Sequence, residues 1–254
     1  MQTQAARLFA AAALAAASFV ARADEWGSIK GRFLFGGDAP AAADLKADKD
    51  VEVCGKHKLV SEELVVGADK GVANVVVFVR DKEVKVNPAL KPSTPVVHNK
   101  GCRFEPHVAF VQVGQQLVIK NSDMTSHNSN VAALKNPPSN NLIAPGADTK
   151  LTFASDEALP VAVTCNVHPW MKGWIVIRAN PYAAVSNADG TFEIKGVPVG
   201  EVELVFWHEK AGYLAEMTIG GKSEKTSKGR KKVAVAAAGT DLGDIQLPPA
   251  IFQK

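Results

Sequence analysis

Between residues 96 and 178, apolar and polar positions alternate in short bursts separated by turn residues. Residues 108–113 alternate and are turned by Gly114-Gln115-Gln116; residues 117–120 follow and end at Asn121-Ser122-Asp123. After His127-Asn128, the Pro- and Asn-rich stretch 136–146 reads as a loop, and residues 150–154, 159–164 and 174–178 complete the series. Strands this short, evenly spaced between turn signals, predict an antiparallel β-sandwich. Long amphipathic helical repeats are absent, so the predicted class is all-β.

The flanks carry a second pattern. Residues 27–35 alternate as a half-buried strand should, and Gly36-Gly37-Asp38 turns them. Residues 72–80 form a nearly continuous, β-branched apolar run of the kind found in a sandwich core. More than a hundred residues later, Asn187-Ala188-Asp189-Gly190 turns the chain into Thr191-Phe192-Glu193-Ile194. Gly196-Val197-Pro198-Val199-Gly200 then leads into residues 201–208, where Val202, Leu204 and Phe206 alternate with their neighbours.

The chain opens on Arg7, an unbroken small and apolar run to Val20, and the small-x-small triplet Ala21-Arg22-Ala23. This is the pattern of a cleaved secretory signal, residues 1–23, and it predicts a periplasmic or secreted protein. The apolar run is shorter than the ~20 residues of a membrane anchor, and no later segment predicts a membrane span. Cleavage removes two arginines and lowers the formal charge of +3 to +1, too balanced to suggest nucleic acid. The basic run Lys222, Lys225, Lys228, Arg230, Lys231 and Lys232 reads as a solvated hairpin.

Three cysteines in an exported chain suggest one disulfide and one cysteine with another task. The segment Thr164-Cys165-Asn166-Val167-His168-Pro169-Trp170-Met171, with Ser126-His127-Asn128 upstream, supplies a thiolate, two imidazoles and a thioether. Soft sulfur suits Cu(I) and imidazole suits Cu(II), so this donor set matches a single copper ion that changes oxidation state. With Cys165 in that loop, Cys54 and Cys102 are left to pair, although spacing alone does not bring their Cα atoms within bridging distance. A zinc alternative is also open, because Cys54-Gly55-Lys56-His57 repeats the Cys-x-x-His spacing, but it leaves His127 and Met171 unused. Of the other histidines, His107 and His208 read as packing residues, and His57 and His98 as ordinary loop or strand positions. Asn187-x-Asp189-Gly190 reads as a turn rather than a calcium loop. Hydrolase, zinc-protease and phosphate-loop motifs are absent, and six histidines leave few ligands for a multicopper enzyme, so a non-enzymatic protein is expected.

His127-Asn128 and Cys165-x-x-His168-x-x-Met171 resemble the cupredoxin family, most of all its amicyanin-like and plastocyanin-like members. Phe104-Glu105-Pro106, Gly114 and Met171-Lys172-Gly173-Trp174 extend the resemblance, and the whole chain resembles exported proteins often labelled methylamine-utilisation proteins. The resemblance implies a Greek-key β-sandwich over residues 90–179 that holds one blue-copper ion on His127, Cys165, His168 and Met171. It implies that Asn128 pins the metal loop, that Pro169 stiffens it, and that Trp170, Pro137, Pro138 and Pro145 form an apolar rim. Electrons would leave through a surface-exposed edge of His168 to redox partner proteins that dock transiently. A copper chaperone, buffer or sensor is the alternative. The Gly-x-Ile-x-Gly strand, the run from Gly71 and the stretch Ala188 to Gly200 resemble a carboxypeptidase-regulatory-like, transthyretin-like β-sandwich. Its parts, residues 24–82 and 180–254, straddle the metal motifs, so the cupredoxin-like part reads as an insertion; two tandem sandwiches split near Asn180 are the other arrangement.

Overall fold

The computed structural model describes residues 25–253; the expected signal sequence lies outside the described residues. Among the described residues the fold is all-β, with four sheets, one short α-helical turn, Val51–Cys54, and one 3-10 turn, Pro249–Phe252. Among the described residues no helix is long and apolar enough to cross a membrane.

Two sheets are built by the chain's flanks. Trp26–Phe35 lies between Thr191–Pro198, antiparallel, and Thr240–Leu247, parallel, with Glu216–Ile219 and Lys222–Lys225 beyond. The facing sheet centres on Gly200–His208, which pairs with both Val76–Val79 and Arg230–Val235. Strands on both sides of residues 96–178 therefore hydrogen-bond to one another. Every residue of Val76–Val79 is buried, as a β-branched run covered on both faces requires. Ile29, Phe33, Val77, Phe192, Leu204, Phe206 and Ile245 fill the space between these sheets. The basic run falls in Lys222–Lys225, the turn at Lys228 and Arg230–Val235, where Lys231 pairs with Glu224 and Lys232 with Glu201.

The other two sheets lie within the intervening residues. One orders Val108–Gln112, Lys172–Arg178, Val161–Thr164, His127–Val131 and Ser139–Ile143; the other orders Phe104–Glu105, Val96–Asn99, Gln116–Asn121 and Asp148–Thr152. Their core holds Val97, Phe104, Val111, Leu117, Ile119, Val163, Ile175 and Ile177. The stretch 136–146, expected as a loop, contains the edge strand Ser139–Ile143. Pro137 and Pro138 stop just short of it, so no ladder donor is lost; Asn140 and Leu142 face outward, while Ser139, Asn141 and Ile143 share the inner face and only Ile143 is fully buried.

Leu45, Val53, Cys54 and Leu59 pack against this second core, not against the flanking strands they follow in sequence. Cys54 and Cys102 are joined in a disulfide with Cα atoms 5.5 Å apart. This removes Cys54 from any zinc site. The two sandwiches meet across a third apolar cluster: Val76, Phe78, Val205 and Trp207 face Val108 and Val176. Trp174 and Trp207 pack edge to face there at 4.9 Å, and the Arg178 guanidinium lies 4.1 Å over the Phe78 ring.

Candidate metal centre

The centre is assembled where three strands end. Gln116–Asn121 stops at buried Asn121, whose Nδ2 donates to the carbonyls of Thr125 and Ile143 and whose Oδ1 accepts from the Asp123 N–H. That turn delivers His127 as the first residue of its strand, paired with Ile143. Val161–Thr164 delivers Cys165, and the next strand begins at Lys172. The connection between them closes on itself: Met171 N–H donates to the His168 carbonyl at 2.9 Å, and Cys165 N–H to the Met171 carbonyl at 3.2 Å.

His127, Cys165 and His168 each direct one donor atom to a common place, all within 4.8 Å of one another. The two Nδ1 atoms are 2.9 Å apart, and His168 Nδ1 is 3.5 Å from Cys165 Sγ. All three residues are buried, as is Met171, and Cys165 is a free thiol. Cys102 also approaches Asp123 and His127, but its sulfur is committed to the disulfide.

Asn128 ties the loop to its neighbouring strand. Its Oδ1 accepts from Asn166 N–H at 2.6 Å and Val167 N–H at 3.2 Å, and lies 3.3 Å from Cys165 Sγ. Its own N–H points at that sulfur from 3.5 Å, and its Nδ2 donates to Asn140 at 2.6 Å. Pro169 is exposed on the loop, along with Pro137, Pro138 and Pro145. Trp170 is turned inward instead: its Nε1 donates to the Cys102 carbonyl at 3.2 Å, and its ring lies 5.1 Å from that of His168.

The expectation of a surface-exposed His168 edge is overturned, because His168 is 0% exposed. Its Nε2 lies 2.8 Å from Asp50 Oδ2, on the segment that the Cys54–Cys102 bridge holds against this end of the sandwich. The outer nitrogen of His127 is also taken, by Asp123 Oδ2 at 3.0 Å. Neither carboxylate was anticipated. Asp123 reads in sequence as a turn residue, and Asp50 lies 118 positions from its histidine.

Without a metal, the electrostatics of the cluster are consistent with its hydrogen bonds. Burial opposes a charge on His127, but hydrogen bonds to Asp123 and Cys165 outweigh it and raise the His127 pKa to about 9. Burial and then the neighbouring His127 charge lower the pKa of His168, against the pull of Asp50. Burial raises the Cys165 thiol pKa, yet the bond to His127 and backbone N–H groups led by that of Asn128 bring it below its usual value. His127 then donates from both nitrogens, and neutral His168 donates from Nε2 to Asp50 while its Nδ1 accepts.

A second buried ionic cluster lies beside the loop. His107 Nε2 is 2.6 Å from Glu209 Oε2, and Lys172 Nζ is 2.8 Å from Glu209 Oε1. Burial lowers the His107 pKa, but Glu209 and Glu62 override it and raise it to about 9; burial raises the Glu209 pKa, but His107 and Lys172 bring it to about 2. His107, expected as a strand-end or packing residue, does lie just before the strand Val108–Gln112, and there it is also an ionic tie between the two sandwiches. His208 packs as expected, edge-on to Phe252 at 5.2 Å, and burial lowers its pKa to about 4.

The fold and this cluster describe an all-β protein with a buried cysteine and two histidines gathered at one end of a sandwich. No protein-family profile and no curated protein matches the chain. Among solved structures, a copper-containing nitrite reductase from Thermus scotoductus SA-01 is 24% identical over 37% of this chain, with a TM-score of 0.31. This chain covers 25% of that enzyme's length. A purple cupredoxin from Nitrosopumilus maritimus is 17% identical, covering 34% of this chain and 99% of its own, with a TM-score of 0.29. A Cu(I) amicyanin variant is 17% identical, covering 40% of this chain and 98% of its own, with a TM-score of 0.31.

Proposed function

We propose that the mature chain is an exported protein that holds one copper ion and passes single electrons between protein partners, without catalysing a covalent reaction. The observation that carries this reading is the convergence of His127 Nδ1, His168 Nδ1 and the free Cys165 Sγ in a buried pocket. An anionic sulfur with two imidazoles suits both oxidation states of copper, and a coordinated copper would supply a reversible one-electron couple. In this reading His127, Cys165 and His168 would hold the ion, and Met171, buried at the loop's end, would supply a weak thioether donor. Asn128 fixes the loop through the hydrogen bonds its Oδ1 accepts from the Asn166 and Val167 N–H groups, Pro169 removes an N–H that would otherwise compete for the sulfur, and Trp170 packs against His168. A site held by strand ends changes little between oxidation states, so little reorganisation opposes electron transfer. The flanking strands, residues 24–82 and 180–254, are proposed to form a transthyretin-like sandwich into which the cupredoxin-like residues 90–179 are inserted; the pairing of Trp26–Phe35 with Thr191–Pro198 supports this division. Export by the leader at residues 1–23 would place the protein in the periplasm or outside the cell.

The covered His168 edge favours a second reading, in which the protein stores, delivers or senses copper without relaying electrons. The two readings differ in rate. Copper titration of the mature chain should saturate at one equivalent, and the loaded protein should exchange electrons rapidly between its own oxidised and reduced forms. Saturation at one equivalent with very slow self-exchange would favour the copper-handling reading, and failure to bind copper would exclude both.

A further inference from the structure

Both imidazoles of the cluster turn their outer nitrogen to a carboxylate, and the two aspartates that supply them are each hydrogen-bonded by the backbone N–H of one half of the same disulfide. Asp123 accepts from Gly101 N–H at 2.7 Å and Cys102 N–H at 2.9 Å. The backbone carbonyl of Asp50 accepts from Cys54 N–H at 2.8 Å, and its side chain accepts from Thr125 Oγ1 at 2.9 Å. Cys102 therefore holds the carboxylate behind His127 directly, while Cys54 holds the backbone of Asp50 and Thr125 holds its carboxylate behind His168. Asp50 takes up a left-handed backbone conformation, with φ 45° and ψ 45°, that few residues other than glycine tolerate. From there its carboxylate meets His168 Nε2 at 2.8 Å.

A neutral imidazole that donates from Nε2 to a carboxylate keeps its lone pair on Nδ1, as His168 does here, and His127 would do the same once its Nδ1 proton is displaced. The carboxylate also adds negative charge behind the ring, which favours the more highly charged state of a bound metal ion. We propose that Asp50 is a positioning residue: through His168 it fixes which ring nitrogen faces the metal and weights the bound copper toward Cu(II), as Asp123 does through His127. This rests on the copper reading of the site.

Asp50 is accessible, with 41% of its side chain exposed, so D50N removes the charge at little risk to folding. In the copper-loaded full chain, D50N should shift the Cu(II)/Cu(I) equilibrium toward Cu(I) by about tenfold, which is about 59 mV for a one-electron couple. D123N should shift it in the same direction. T125V, which removes the other Asp50 partner without a charge change, should shift it less. In the metal-free chain, nitrogen-15 NMR of the rings should show His168 protonated at Nε2, with the Nδ1-protonated form gaining population in D50N. An unchanged potential together with an unchanged ring tautomer in D50N would overturn the proposal, even if stability fell. If the chain takes up no copper, the copper reading fails, while the tautomer measurement still decides the role of Asp50.

Discussion

Cys165 is the residue on which the metal chemistry converges, because it is a free thiol buried among two imidazoles and the amide of Asn128. Cysteine to serine replaces a soft, polarisable donor by a hard one of similar size. C165S should therefore remove the intense thiolate-to-copper absorption band entirely and weaken copper binding, both read by a spectrophotometric titration. His127 sets the proton balance. Its pKa of about 9 in the metal-free protein means that it carries a proton at neutral pH, which a metal must displace. Copper loading at pH 7 should release at least about one proton per ion, and affinity should climb with pH until about 9. A lightly buffered titration with a pH indicator reads this directly, and loading without proton release would contradict the assignment. The sequence exposed Cys165, His168 and Met171 because these three of the four proposed ligands sit in one short motif, which His127-Asn128 upstream completes. It hid Asp50 and Asp123, because a carboxylate in a turn has no distinguishing neighbour pattern and its partner is chosen only by the fold.

The strands around the centre follow the alternation closely, since one buried face imposes a period of two. Ser139–Ile143 escaped that reading because it is an edge strand with one fully buried residue, and such a pattern is indistinguishable from a polar loop. The covering segment escaped it too. Residues 45–59 have almost no regular structure, and Leu45, Ala47, Val53, Cys54 and Leu59 are their apolar attachments to the core. The disulfide is what fastens this element. Its cysteines are separated by 48 residues, and the chain-entropy account of such a loop gives about 4 kcal/mol of stabilisation. C54S/C102S should lower the unfolding free energy in denaturant by ~2–4 kcal/mol, with local exchange of the Asp50–Cys54 amides rising more than that of the strand amides.

At the scale of the whole molecule, the two sandwiches are coupled by apolar contact and by charge. Trp207 is 5% exposed and packs on Trp174 across the junction. W207A should cost ~3–5 kcal/mol in denaturant unfolding, as large-to-small changes at buried aromatics do. His107 belongs to one sandwich and Glu209 to the other, and their pairing makes the junction depend on pH. The His107 pKa is raised from 6.5 to about 9, so its contribution is complete below pH 6.5 and is lost as pH rises through about 9. The Glu209 pKa is lowered from 4.5 to about 2, so its contribution is present above pH 4.5 and is lost as pH falls through about 2. Stability should therefore show a plateau over the interval in which both are charged, and H107A should flatten its alkaline side. The all-β class and the strand-rich flanks were legible in the sequence; the apolar junction was not, because its residues also read as ordinary sandwich core.

One measurement bears most directly on the central claim: the visible absorption and electron-spin spectrum of the purified mature chain loaded with one equivalent of Cu(II). A single buried site with one thiolate and two imidazole ligands predicts an intense visible charge-transfer band and one Cu(II) signal. Both should disappear on reduction and return on reoxidation. A colourless Cu(II)-loaded protein, or one whose spectrum is unaffected by C165S, would contradict the account.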